Sequence, residues 1–324
     1  MTKSARAPSF TLVQLRYFAA AADLGSMTAA AKVLMVSQSA VSTAIAQLEK
    51  ELGVQLLIRQ HARGLELTPA GRNFRQELRS FLAHSVELAD SAARLGNSLI
   101  GDLTIGCFLT IAPFGLPTLL AAFEQRFPQV RMNVIESEHE NLTRLLREGH
   151  CELALMYGFD RNDDVTYQPL AMARPYVIVA PDHPVAREGR RSAALSEFAT
   201  DPMVLLDLPH SRDYFLSLPR RAGFTPEIRF RSTGYETVRS LVAHGFGFSI
   251  LNQRPAHPQT YDGHEVAAIE LTDSAPALEL VIANLSGVRL TNRASAFREL
   301  CKRHFAAVER SGGPDGAGHD GAPG

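Results

Sequence analysis

Cys107, Cys151 and Cys301 are the only cysteines in the 324-residue chain. They are odd in number, widely spaced and without a CxxC pair, so neither a disulfide framework nor a structural zinc site is indicated; buried free thiols are the simplest reading. No stretch of about eighteen apolar residues is present to cross a bilayer as a helix. The opening residues also lack a continuous apolar core with a cleavage site, so the expected location is the cytoplasm. A dominant charge is missing too, the formal net being −1. Catalytic signatures are absent: there is no GxSxG elbow, no HExxH, no phosphate-cradling GxxxxGKS or GxxxxGKT loop, and no GxGxxG after a strand. Catalysis is therefore not expected, and no cofactor is implied.

What is present is ordinary for a globular protein, 45% hydrophobic and 21% charged, and long enough for two or more domains. The charge is uneven. Residues 1–70 carry Lys3, Arg6, Arg16, Lys32, Lys50, Arg59 and Arg63 against Asp23, Glu49, Glu51 and Glu66. This basic N-terminal part is a weak pointer to a polyanionic partner.

Within it, Ser26 to Glu49 reads as two short helices joined by a tight turn. Val41, Ile45, Leu48 and Leu52 fall on one stripe at helical period. The opposite face carries Gln38, Ser39, Ser42, Thr43 and Gln47, short or amide side chains that can reach base edges without holding a helix out of a groove. Ser37 is placed to cap the second helix. Periodicity alone is equally compatible with an Ala-rich pair in a larger helical core. The following stretch, Val54 to Thr68, shifts the balance: two apolar runs flank a basic, glycine-containing turn, which reads as a hairpin. A hairpin beside a recognition helix is a wing, and Arg59 and Arg63 would reach the backbone or minor groove. Thr28, Ser37, Gln38, Ser39, Ser42, Thr43, Arg59 and Arg63 are thus the candidate DNA-binding residues.

These segments resemble the LysR-type transcriptional regulators. The likeness is carried by Leu12 to Phe18 (LVQLRYF), Ser26 to Ala31 (SMTAAA), Ser37 to Ser42 (SQSAVS), Ile45, and Leu48 to Val54 (LEKELGV), and continues through Arg59, Arg63 and Leu67 to Gly71 (LTPAG). It implies a winged helix-turn-helix over 10–68 that binds double-stranded DNA. Ser39 stands where proline is common in that family and Thr43 where arginine is frequent; both departures bear on which operator is read. Some members sense peroxide through paired cysteines, and these three cysteines form no comparable close pair.

Between residues 69 and 98 the signature changes. Phe74, Leu78, Phe81, Ser85, Leu88, Ala92 and Leu95 recur at alternating steps of four and three, a heptad seam. Such a seam can bury itself against a second chain, making a homodimer or, as the resemblance implies, a homotetramer. Packing against the chain's own DNA-binding domain is the alternative.

From 101 to 308 short strands alternate with helices, which predicts parallel sheet covered by helices. The resemblance implies a bilobal effector-binding domain like that of periplasmic binding proteins, with one lobe near 101–169 and 275–308 and the other near 170–274. A crevice at the carboxyl ends of strands is the natural binding place for a small molecule. Thr110 would either cap the following helix or help hold an anion there, and Tyr157 would face the same cleft. His210, Ser211 and Arg212 form a polar loop in which Arg212 could grip a carboxylate; Thr233 and Tyr235 form another, and each could equally be capping structure. Glu136, Glu138, His139 and Glu140 are acid-rich, but consecutive positions at a strand end face different ways, so no metal site is expected there. Residues 309–324 are too rich in glycine and proline to fold. The predicted architecture is multidomain: an all-α winged helix-turn-helix domain, a long linker helix and a two-lobed α/β effector-binding domain. A stand-alone solute-binding module would share the lobes but would have no use for a basic wing.

Overall fold

The structure, a computed structural model, describes residues 9–60, 64–93, 99–159 and 161–310. The expected tail therefore lies outside the described residues from 311 onward. The chain divides into two compact units, the first built on residues 1–98 and the second on most of the remainder.

The first unit contains α1 (Leu12–Leu24), α2 (Met27–Leu34), α3 (Gln38–Leu52), the hairpin strands β1 (Leu57–Gln60) and β2 (Gly64–Leu67), and α4 (Pro69–Ala93). Each early helix starts where a side-chain oxygen meets unpaired first-turn amides. Thr11 and Gln14 form a reciprocal capping box at α1, Ser26 accepts from the Ala29 amide at α2, and Ser37 accepts from the Ala40 amide at α3. The chain bends by 111° between α2 and α3, within the range of a helix-turn-helix. Phe18, Ala21, Ala30, Ala31, Val41, Ile45 and Leu48 fill the space between the three helices. The alanines let the backbones approach, while each large apolar side chain contributes about 1.5–3 kcal/mol on burial.

Two devices lock the wing. Glu49 of α3 accepts from the backbone amides of Leu56 at 2.7 Å and Leu57 at 3.0 Å. Thr68 donates its hydroxyl to the Gln55 carbonyl at 2.7 Å and accepts from the Gly71 amide at 2.9 Å. The approach is so close that a Cβ on Gly71 would lie 2.0 Å from the Leu56 carbonyl oxygen. Glycine is required there by contact with backbone, which cannot move aside as a flexible side chain would.

The second unit runs β3 (Gly101–Phe108), α5 (Ala112–Arg126), β4 (Val130–Ser137), α6 (His139–Arg147), β5 (Leu153–Tyr157), β6 (Val165–Ala173) and β7 (Tyr176–Val179). It continues with α7 (Pro184–Arg187), β8 (Ser192–Ala193), β9 (Met203–Leu206), α8 (Ser211–Arg221), β10 (Ile228–Ser232) and α9 (Tyr235–Ala243). The last elements are β11 (Ser249–Leu251), β12 (Ala267–Leu271), β13 (Leu278–Leu285) and α10 (Asn292–Arg310). One sheet has the order β4-β3-β5-β13-β6 and another the order β11-β7-β12-β8, with β9 and β10 paired parallel and joined to the second sheet by a bridge from Met203 to Phe248.

The expectation of parallel sheet holds only in part. β3 pairs parallel with β4 and β5, but β13 runs antiparallel to both β5 and β6, and β7 runs antiparallel to β11 and β12. β13 is the chain's return from the second sheet to the first. β6 was not anticipated, because Pro169 lies inside it. The strand tolerates proline because it is the sheet edge and its pairing is irregular at that point, where the register shifts between Leu280 and Val281. Cys107, Cys151 and Cys301 are all free and buried.

Candidate functional site

On α3, Val41, Ile45 and Leu48 are buried, whereas Gln38, Ser39, Thr43 and Gln47 are exposed and Ser42 is half-buried. Thr28, on the first turn of α2, is exposed as well. The N-terminal end of α3 therefore presents a small polar surface to solvent. Ser37 is exposed but already engaged, its hydroxyl capping α3 and lying 2.9 Å from the Ser39 hydroxyl. Gln47 is held by Gln14 of α1 at 3.1 Å, which gives it a structural task. Arg59 stands on β1, and Arg63 lies outside the described residues.

The seam on α4 divides. Leu78 is buried and Phe74 packs on the core of the helix-turn-helix, with Phe74 against Phe18 at 5.4 Å between ring centroids. Asp23 of α1 reinforces this junction by pairing with Arg75 at 2.8 Å and Arg79 at 2.7 Å. The start of the seam is thus the intrachain alternative raised above. Farther along, Phe81 is 53% exposed, Val86 51% and Leu88 73%, while Ser85 is half-buried. The side chain of Ala92 and all of Leu95 lie outside the described residues.

In the second unit, three sets of contacts join the lobe built on the five-stranded sheet to the lobe holding β7 to β12. The Tyr157 hydroxyl accepts from the Gln253 side-chain amide at 2.9 Å and donates to Asn252 Oδ1 at 3.3 Å. Phe114 of α5 meets Tyr235 of α9 edge-on at 5.3 Å. His139 and Phe159 pack against His210, with centroid distances of 5.0 and 6.3 Å. The residues that converge on the seam are rings, amides and imidazoles. Tyr157 is fully buried, and that burial pushes its hydroxyl up to about 12 despite its hydrogen bonds with Thr110, Gln253 and Asn252, so it stays a neutral donor and acceptor.

The proposed cleft residues fall into distinct situations. Thr110 does not cap α5: Ile111 holds that position without a side-chain bond, and the buried Thr110 hydroxyl instead serves Tyr157. Ser211 is buried in the first turn of α8 and His210 is half-buried just before it. His210 has φ 64°, one of only two non-glycine residues with positive φ among the described residues; such strain is characteristic of sites held by their surroundings. Arg212 is exposed and ion-paired with Asp207, which also faces Arg231 at 3.4 Å. Its guanidinium is thus engaged by an acid of the same loop. Thr233 is exposed. Tyr235 donates to the Gln253 carbonyl and contacts the Tyr176 hydroxyl at 3.3 Å, so it braces the seam.

His139, Phe159, Asn252 and Gln253 were not among the sequence candidates. His139, Phe159 and Asn252 with Gln253 follow β4, β5 and β11 respectively, so the rule that crevices form at carboxyl ends of strands would have found them. Glu136 and Glu140 are exposed while His139 is buried, so this acidic run does diverge in space. A pocket of about 280 Å³ is lined by Leu195, Leu218, Asp273 and Pro276 among others and carries none of these residues.

Comparison with known proteins agrees with both halves. Residues 12–72 match the family described as "Bacterial regulatory helix-turn-helix protein, lysR family", and residues 96–306 match "LysR substrate binding domain". A probable hydrogen peroxide-inducible genes activator from Streptomyces viridosporus is 33% identical over 304 residues, covering 93% of this chain and 94% of the relative. The regulator TfdS from Cupriavidus pinatubonensis is 30% identical, covering 86% and 93%. Among solved structures, HinK, a LysR family transcriptional regulator from Pseudomonas aeruginosa, shares 36% identity with a TM-score of 0.62 and covers 92% of this chain and 99% of its own. A full-length OxyR variant from Pseudomonas aeruginosa aligns at 25% identity with a TM-score of 0.71, covering 91% and 94%. With a helix-turn-helix head and a two-lobed α/β domain that both match, the chain belongs to the LysR family of bacterial transcriptional regulators.

Proposed function

We propose that this regulator reads its operator with the N-terminal end of α3, through Gln38, Ser39, Ser42 and Thr43, while Thr28, Ser37, Arg59 and Arg63 position the head on the phosphate backbone. The observation that carries this reading is the exposed polar surface of α3 beyond a 111° turn, on a helix whose other face is fully engaged in the core. Helix-turn-helix heads place that part of the second helix against base edges. The proposed working form is a cytoplasmic homodimer or homotetramer paired through the distal part of 69–98. Two heads then address two half-sites.

The proposed effector site is the seam between the lobes, comprising Thr110, Tyr157, His139, His210, Ser211, Asn252 and Gln253, with Thr233 and Tyr235 at the second-lobe side. Arg212 leaves this group because Asp207 holds it. Hydroxyl, amide and imidazole groups suit a small polar molecule that hydrogen-bonds, and one of the two grounds for favouring an anion weakens with Arg212. An effector preferring one arrangement of the lobes would shift the population of that arrangement and so alter promoter output.

The test is binding of the purified protein to the DNA upstream of its own gene, at fixed salt and with random DNA as competitor. Competitor-resistant binding, with a footprint altered by a bound effector, is the expected result. Binding no tighter than to random DNA, at this promoter and at every site recovered from a genome-wide search, would sink the proposal.

A further inference from the structure

The second unit carries a group of side chains that neither DNA reading nor the seam uses. His244 follows the last residue of α9, and Asp262 and His264 lie on the tight turn before β12. His244 Nε2 is 2.9 Å from Asp262 Oδ2, and His264 Nδ1 is 3.7 Å from Asp262 Oδ1. The two imidazoles lie 4.1 Å apart between ring centroids, and one ligating atom from each residue falls within 4.8 Å of the others. For bonds of about 2.0–2.2 Å to a tetrahedral ion, ligand atoms should sit roughly 3.3 Å apart. The cluster needs only small side-chain rotations to reach that spacing.

The turn is built to hold this arrangement. Thr260 is buried, and its hydroxyl bonds both Asp262 Oδ1 and the His264 carbonyl. Its amide donates to that same carbonyl at 2.8 Å, and Gly263 takes the left-handed conformation the reversal needs, with φ 83°. Ser240, one turn before the end of α9, is 3.3 Å from Asp262 Oδ1. Asp262 therefore has outer partners that fix its orientation, as ligating carboxylates do. A plain surface ion pair at a helix end, worth little in solution, would need only one histidine.

We propose that His244, Asp262 and His264 form a binding site for a divalent transition metal of the zinc class, with His244 ligating through Nε2 and His264 through Nδ1. Two imidazoles and one carboxylate favour zinc, copper, nickel or cobalt over calcium and magnesium, which take oxygen ligands. Three protein ligands leave a fourth position for water. The ion would clip the end of α9 to the turn before β12. The other end of that helix carries Tyr235, which braces the seam against Phe114 and Gln253.

The test uses tag-free, chelator-treated full-length protein titrated with Zn²⁺ by calorimetry, and with Co²⁺ followed by visible absorption. The expected result is saturation near roughly one ion per chain, with the intense visible bands of tetrahedral Co²⁺, which disappear when Zn²⁺ is added. His244→Ala and His264→Ala should each weaken binding at least about tenfold and abolish those bands, while Asp262→Asn weakens it to a similar degree. All three positions are exposed, so the variants should keep the parent circular dichroism. Zn²⁺ affinity and Co²⁺ spectra that are the same in the parent protein and the double His244→Ala/His264→Ala variant would overturn the site.

Discussion

Gln253, two residues beyond β11, donates its side-chain amide to the Tyr157 hydroxyl across the seam between the lobes at 2.9 Å. Asn252 accepts from the same hydroxyl, and Thr110 is a third partner. Tyr157→Phe leaves the ring packing against Phe108 and Phe159 intact but strands three polar partners. A buried group left without its partner costs about 1–3 kcal/mol. The expected outcome is a loss of that size in urea unfolding with an unchanged dependence on denaturant, together with a weakened response to effector. Parent-like stability would show that water restores the bonds and that the hydroxyl is not part of the seam.

The DNA-reading face makes a sharper distinction. Gln38 is exposed on the first turn of α3 and Arg59 stands on the wing strand β1. Gln38→Ala should weaken operator binding by about 1–3 kcal/mol and leave random DNA almost unaffected. Arg59→Ala should weaken both and lower the steepness of the salt dependence by roughly one. Competition binding over a salt series measures both quantities. Equal loss on operator and random DNA in both variants would remove Gln38 from the reading face.

Met35 links the two helices of this head at φ 53°, and it is 91% exposed. The left-handed conformation costs an ordinary residue about 1–2 kcal/mol, whereas glycine loses about 0.5–1 kcal/mol through its freedom in the unfolded chain. Met35→Gly should therefore stabilise the head by up to about 1 kcal/mol, visible as a higher midpoint in thermal unfolding. A lower midpoint would mean that the exposed side chain has a partner in the assembled protein.

The head was legible because its information is local. Ser37 marks a helix start, and the spacing of Val41, Ile45 and Leu48 marks the buried stripe, all within single elements. The seam between the lobes was only half legible. Tyr157 and His210 were singled out because they lie at or beyond the carboxyl ends of strands, but Gln253 meets Tyr157 across 96 residues of chain, a pairing that no periodicity encodes. Arg212 lies in an ion pair that was hidden for a related reason. Its nearest acid, Asp207, is five residues earlier at the other side of the loop, and sequence spacing does not say whether a loop folds back on itself. The antiparallel β13 was likewise hidden, since the direction of a returning strand depends on which end of the sheet it re-enters.

Distal α4 presents Phe81, Val86 and Leu88 to solvent in a single chain. If these side chains meet a second copy, Leu88→Asp places a charge in an apolar seam, which is costly unless the charge is paired. The expected outcome is dissociation toward monomer in sedimentation at concentrations where the parent is oligomeric, and loss of the extra affinity that a two-half-site operator has over a single half-site reference. An unchanged sedimentation coefficient would move the oligomer contact elsewhere.

Several relatives are named as hydrogen peroxide-inducible gene activators, yet the thiols of this chain are poorly suited to that chemistry. Burial pushes Cys107 and Cys151 up to about 12 from an ordinary 9.0, and pushes Cys301 up further. Peroxide reacts with thiolate, so burial that disfavours the thiolate should slow that reaction at neutral pH. The native protein should react far more slowly with a disulfide reagent at pH 8 than the urea-unfolded chain, and peroxide should leave its DNA binding unchanged. The same shifts set a sign for stability. A thiol kept neutral by folding contributes its full share below pH 9 and loses it as pH rises from there toward 12. Unfolding free energy should thus drop by about 1 kcal/mol per buried thiol by pH 10, and a serine replacing Cys107 or Cys151 should remove its part of that alkaline slope. Native thiols that react as fast as unfolded ones would show that the sheet around Cys107 opens often enough to expose them, and would reopen the case for redox control.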